Sequence, residues 1–132
     1  MKLLEEIFDK GYATKDLKLA KGKIKAVVKN LSAEEQLEIE DKLSTYKDKS
    51  NAFVLHQYSL QILEKTVLSV NGNSFSSPKD TREYLGKLPT PIVDTLIKEQ
   101  NKFEKEIAKA INPELVDKTF FEKDLTPEDS EQ

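Results

Sequence analysis

Thr66-Val67-Leu68-Ser69-Val70-Asn71-Gly72-Asn73-Ser74-Phe75-Ser76 interrupts a chain that otherwise reads mostly as helix, and its reading decides the fold. The β-branched residues before Asn71-Gly72 favour a strand, and Asn-Gly is the dipeptide best suited to a tight two-residue turn. Ser74-Phe75-Ser76 can return as a short second strand. A small hairpin is predicted here, the alternative being a helix that simply runs on to a turn. Downstream, Ser77-Pro78 signals a helix start, with Ser77 as cap and Pro78 in the first turn, and Gly86 stops it after Leu85. Thr90-Pro91 repeats that signal and opens a long amphipathic helix over 91–111, which Asn112-Pro113 ends. At about 100° per residue, Ile92, Val93, Leu96, Ile97, Phe103, Ile107, Ala110 and Ile111 share one arc. Asp94, Lys98, Lys102, Lys105, Glu106 and Lys109 lie opposite, with Asp94/Lys98 and Lys102/Glu106 spaced as ion pairs. Gln100 and Glu104 sit inside or beside the apolar arc, as candidates for the place where this face meets a partner or as the wet edge of a groove.

Upstream of that block, Leu3, Leu4, Ile7 and Phe8 form the apolar ridge of a short helix that Gly11 stops. From Tyr12 the period changes to two: Leu17 and Leu19, then Ile24, Ala26 and Val28, alternate with lysines, which predicts a β-hairpin at about 12–30. Its outward row, Lys18, Lys23 and Lys25, is a candidate surface for an anionic partner, or a solvated face that protects a sheet edge. Ser32-Ala33-Glu34-Glu35 is a capping box, in which hydroxyl and carboxylate each satisfy the other residue's amide, so a helix is expected from there to about Lys47. After a polar break comes a central helix over 52–65. Ala52, Phe53, Leu55, Tyr58, Leu60, Ile62 and Leu63 cover most of its circumference, leaving only a stripe through Gln57, Gln61, Glu64 and Lys65 for solvent. Such a helix is expected to be the element on which the others pack. The expected class is therefore α+β, mainly α: one helical domain over 1–112 with an N-terminal hairpin, a buried central helix and a long C-terminal helix.

Composition narrows the chemistry. With no Cys and one His in 132 residues, structural zinc, thiol catalysis and disulfide stapling find no ligands or nucleophiles. Glycines 11, 22, 72 and 86 are too scattered to cradle a phosphate, so no cofactor is expected. The net charge of −3 and the single arginine, Arg82, argue against nucleic acid as a partner. No apolar run suggests a membrane span and acids interrupt the N-terminal apolar stretch, so residence in a cytosol is the default expectation. His56 falls on the apolar arc of the central helix and reads as a satisfied core residue rather than a general base. The carboxylates of 34–41 read as a solvated face, and Arg82, between Asp80 and Glu83, as part of an ion pair within its own helix.

Charge is uneven along the chain. Residues 1–31 carry eight lysines against four acids, whereas 113–132 carry seven acids against two lysines. That acidic tail is sparse in apolar groups and is expected to be ordered by a neighbouring protein rather than by itself. Leu115, Phe120, Phe121 and Leu125 are its candidate anchors, since two adjacent exposed aromatics need cover, either by folding back on this domain or by insertion into a partner, and the basic N-terminal end and acidic tail can meet within one molecule or between neighbours.

The order of features over 51–111 resembles that of small tail-assembly proteins of tailed bacteriophages, including tail assembly chaperones and the baseplate-hub proteins of contractile phages. Phe53-Val54-Leu55-His56-Gln57-Tyr58, Leu68-Ser69-Val70-Asn71-Gly72-Asn73-Ser74-Phe75, and Thr81-Arg82-Glu83-Tyr84-Leu85 followed by Leu88-Pro89 and the closing helix carry the resemblance, over somewhat under half of the chain. The lysine-rich hairpin and acid-rich helix before them look like the N-terminal half of such proteins, although the hairpin region is short and the acidic Phe-Phe tail has no counterpart. The resemblance implies a non-enzymatic protein, made in the cytoplasm of a host bacterium, that binds other tail or baseplate components or itself and stays in the virion. A chaperone that coats the tape-measure protein and then leaves is the alternative within that family. A small regulatory protein that binds a host enzyme through its acidic tail is the alternative outside it.

Overall fold

The computed structural model describes residues 2–112. The segment 113–132, and with it Leu115, Phe120, Phe121 and Leu125, lies outside the described residues. The elements are α1 (Lys2–Lys10), β1 (Thr14–Leu19), β2 (Ile24–Lys29), α2 (Ala33–Leu43), α3 (Asn51–Thr66), β3 (Val67–Val70), β4 (Asn73–Ser74), α4 (Pro78–Leu85) and α5 (Thr90–Ile111). The fold is α+β and mainly α, and both hairpins read from the sequence are present. They join into one antiparallel sheet of order β1-β2-β3-β4.

Local chemistry explains most boundaries. Gly11 closes α1 at φ 90°, its amide bonded to Ile7 O at 2.7 Å, a left-handed cap that costs other residues strain. Ser32 and Glu35 form the complete capping box on α2, and Ser77 caps α4 with Pro78 in its first turn. Asn71 and Gly72 both take positive φ, the two-residue turn that matches strand twist. The Asn71 side chain also accepts from Lys25 N at 2.8 Å, tying this turn to β2. The first hairpin lacks Asn-Gly and uses a longer turn through Ala20, Lys21 and Gly22, all at positive φ.

Several boundaries differ from expectation, α3 by one residue at each end and β4 by its start at Asn73. α2 ends at Leu43 rather than near Lys47, because Ser44 and Thr45 turn their hydroxyls back onto the carbonyls of Asp41 and Lys42 and the chain tightens there. α5 begins at Thr90 itself, with no side-chain cap. The core lies between the sheet and the helices: Leu17, Leu19, Ala26, Val28, Val67 and Val70 from the strands meet Leu63, Leu85, Val93, Leu96, Phe103 and Ile107. α5 packs on β1, α1 and α3, while α2 and α4 pack on α3. No helix among the described residues is long and apolar enough to cross a membrane.

Candidate functional site

α3 was expected to be buried around most of its girth, and only its C-terminal half is. Leu63 and Thr66 are buried, and Gln61, which the periodicity assigned to solvent, is buried too. Gln61 lines an open groove of about 580 Å³ between α2, α3 and α4, where opposite charges pair. Arg82 is held there by Glu64 and by Gln57 Oε1 at 2.9 Å, not by its helix neighbours Asp80 and Glu83. Lys65 pairs with Glu38 at 2.9 Å across to α2. The reason is geometric: packed helices bring side chains from different elements closer than adjacent residues on one helix can come.

The N-terminal half of α3 stands beyond this packing. Leu55 is 66% exposed and Phe53 38%, and Leu37 on the facing helix α2 is 66% exposed. His56 is exposed as well, which corrects its reading as a core residue. The sequence pattern misled here because, among the described residues, α2 and α4 pack on α3 and still leave Phe53, Leu55 and His56 exposed at this end. The end is nonetheless built. Ser50 caps the helix through Phe53 N, Tyr46 meets Phe53 edge-on at 5.4 Å, Tyr58 OH accepts from Gln36 at 3.2 Å, and Ile39 is fully buried apart from the main core. A rigid helical pair thus presents apolar side chains to solvent.

Gln100 and Glu104 do not belong to that surface. Gln100 is 1% exposed and donates from Nε2 to Lys29 O at 3.0 Å and to Glu104 Oε2 at 2.8 Å. Glu104 accepts the Leu31 amide at 2.7 Å. Together they pin the chain where it leaves β2 for α2. Burial pushes the Glu104 carboxyl above its ordinary range, against the Leu31 and Gln100 bonds and the nearby Lys29. Gln100 Oε1 is buried without a hydrogen-bond donor among the described residues. Lys29 itself bonds both oxygens of Glu35, at 2.8 and 3.0 Å. The expected pairs on α5 also form elsewhere: Glu106 meets Lys15 at 2.6 Å and Lys102 meets Glu99 at 3.5 Å.

Lys18, Lys23 and Lys25 are exposed, as expected. Lys18 lies directly across from Lys25 in the β1–β2 register. His56 makes no side-chain hydrogen bond among the described residues. No group of three or more His, Asp or Glu among the described residues is placed to hold a metal ion. Comparison with protein-family models, with curated proteins and with solved structures finds no match.

Proposed function

We propose that the protein is a non-enzymatic association component that binds other proteins through the exposed apolar side chains of the α2–α3 pair and through its lysine-bearing hairpin, and that its setting is bacteriophage tail or baseplate assembly. The observation that carries the binding reading is the open end of α3. Leu55 and Phe53 face solvent on a capped, internally bonded helical pair, while the core closes without them. The phage setting is supported by the resemblance over 51–111, whose succession of helix, Asn-Gly turn, short Arg-bearing helix and long closing helix matches α3 to α5. The partners are other tail or baseplate proteins, the tape-measure protein or further copies of this chain, and neither nucleic acid nor membrane.

Quantitative mass spectrometry of purified particles, alongside the lysate of cells producing the protein, tests the setting. A few fixed copies per particle are expected for a tail or baseplate component. Abundance in the lysate with absence from particles would instead identify the chaperone that coats the tape-measure protein and leaves. Absence of particles from producing cells overturns the phage setting and leaves the binding reading to be carried by a host partner.

A further inference from the structure

We propose that the lysine-bearing end of the β1–β2 hairpin is the docking surface for the acidic segment 113–132 of the same chain. Lys18 and Lys25 stand directly opposite each other on exposed positions of neighbouring strands. A like-charge pair in that place weakens the strand pairing. Lys21 and Lys23 continue the positive charge through the turn, where Ala20 and Lys21 take φ of 52° and 57°, a conformation side chains rarely adopt. Among the described residues these four lysines make no ion pair, whereas Lys10, Lys15, Lys29 and Lys65 each meet a glutamate. Positive charge is thus concentrated, unneutralised, across the two strands and their turn, and an anionic occupant offsets the repulsion.

Charge and reach select the occupant. Segment 113–132 carries seven acids and two lysines around Phe120-Phe121. The Lys15–Glu106 pair at 2.6 Å sets the last turns of α5 beside the first residues of β1, so the segment departs from the base of the hairpin. The lysines lie about one strand length away, roughly 20 Å, and the segment extended spans up to about 70 Å. The base is acidic on balance: Glu5, Glu6, Asp9 and Asp16 line one groove there with Lys10, which pairs with Glu6 at 3.0 Å. Repulsion carries the acidic stretch past the base toward the lysines. Val27, half-buried and on the same face as Lys25, gives the Phe pair an apolar neighbour. Exposed ion pairs are individually weak, but tethering supplies an effective concentration in the mM range, which favours the chain's own segment over a second copy. A partner that takes the segment away uncovers the lysines, so the two surfaces act in exchange. This deepens the protein-binding reading and does not depend on the phage setting.

Zero-length carbodiimide coupling, which joins an amine to a contacting carboxylate, tests the contact on the full chain at low salt, with a mixture of isotopically heavy and light protein. Expected are links from Lys18, Lys21, Lys23 or Lys25 to the acids of 122–131, within heavy or within light chains only, falling at least about tenfold at high ionic strength where screening is short-ranged. Links between heavy and light chains assign the segment to a second copy and overturn the proposal, as does a distribution of links with no preference for these lysines. In a second measurement, deleting 113–132 should shift the backbone amide resonances of Asp16–Val27 and leave those of α2 and α3 in place; an unchanged hairpin overturns the proposal. Particle composition does not enter either readout, so failure of the phage setting and failure of this contact are told apart.

Discussion

In its C-terminal half α3 buries Gln61, Leu63 and Thr66 between neighbours, whereas in its N-terminal half it leaves Phe53, Leu55 and His56 in solvent. The residue types are similar, and the second half is if anything the richer in large apolar groups. What differs is the company each half keeps. Among the described residues the C-terminal half supplies Leu63 to the main core, whereas the N-terminal half is met by polar contacts, Gln36 of α2 at Tyr58 and Arg82 of α4 at Gln57. Apolar periodicity reports that a helix face avoids water, not whether its cover comes from the same chain. The difference between a covered and an exposed face is therefore a property of the whole fold.

That contrast can be broken or sharpened by substitution. Leu63→Ala at the packed end should cost about 3 kcal/mol, the removed methyl groups plus the cavity they leave, read from urea unfolding. A loss below about 1 kcal/mol would mean that the packed end is not packed. The polar closure of that end gives a smaller, pH-dependent effect. Glu104 holds its proton more tightly folded than unfolded, so its favourable contribution is full below its ordinary value of 4.5 and is lost as pH rises through the raised folded value. Glu104→Gln keeps an acceptor for the Leu31 amide and removes the titration. Stability of the natural chain relative to this variant should therefore decline with pH from 4.5 upward, and parallel curves would show that Glu104 titrates alike in both states. Glu35 works with the opposite sign: although burial raises it, the Lys29 and Ser32 bonds hold it low, so its contribution is present above 4.5 and lost as pH falls. At the open end Leu55→Ser should change stability by less than about 0.5 kcal/mol yet weaken partner binding, measured as incorporation into particles. A larger loss of stability would place Leu55 in the core after all.

The fold was legible wherever a few neighbouring residues determine the backbone. The Ser32–Glu35 box, the Ser77-Pro78 start and the Asn71-Gly72 turn each act within four residues, and all three stand as read. What escaped the sequence is what depends on distant partners. Arg82 pairs with Glu64 across to another helix, and Gln100 is buried because the Lys29 carbonyl, far away in the chain, accepts from it. Leu55 and His56 were misjudged for the same reason, since nothing local states which face of α3 the other described elements leave exposed. The lysine row was legible because strand alternation alone places Lys18 and Lys25 outward.

The strand order has a consequence for how this molecule is made and how it can change. β2 and β3 are adjacent and antiparallel, so α2 and α3 occupy the position of a hairpin loop, enlarged to residues 30–66. Pairing across such a gap is non-local, and the central ladder is expected to close late in folding, after the helical pair and the first hairpin have formed. Once it closes, the sheet fixes only the two ends of this insert. Each doubling of a flexible loop costs only about 0.6 kcal/mol in closure entropy. The connection between the two helices, residues 44–50, is thus the part of this insert freest to vary in length while the strands that anchor it stay the same.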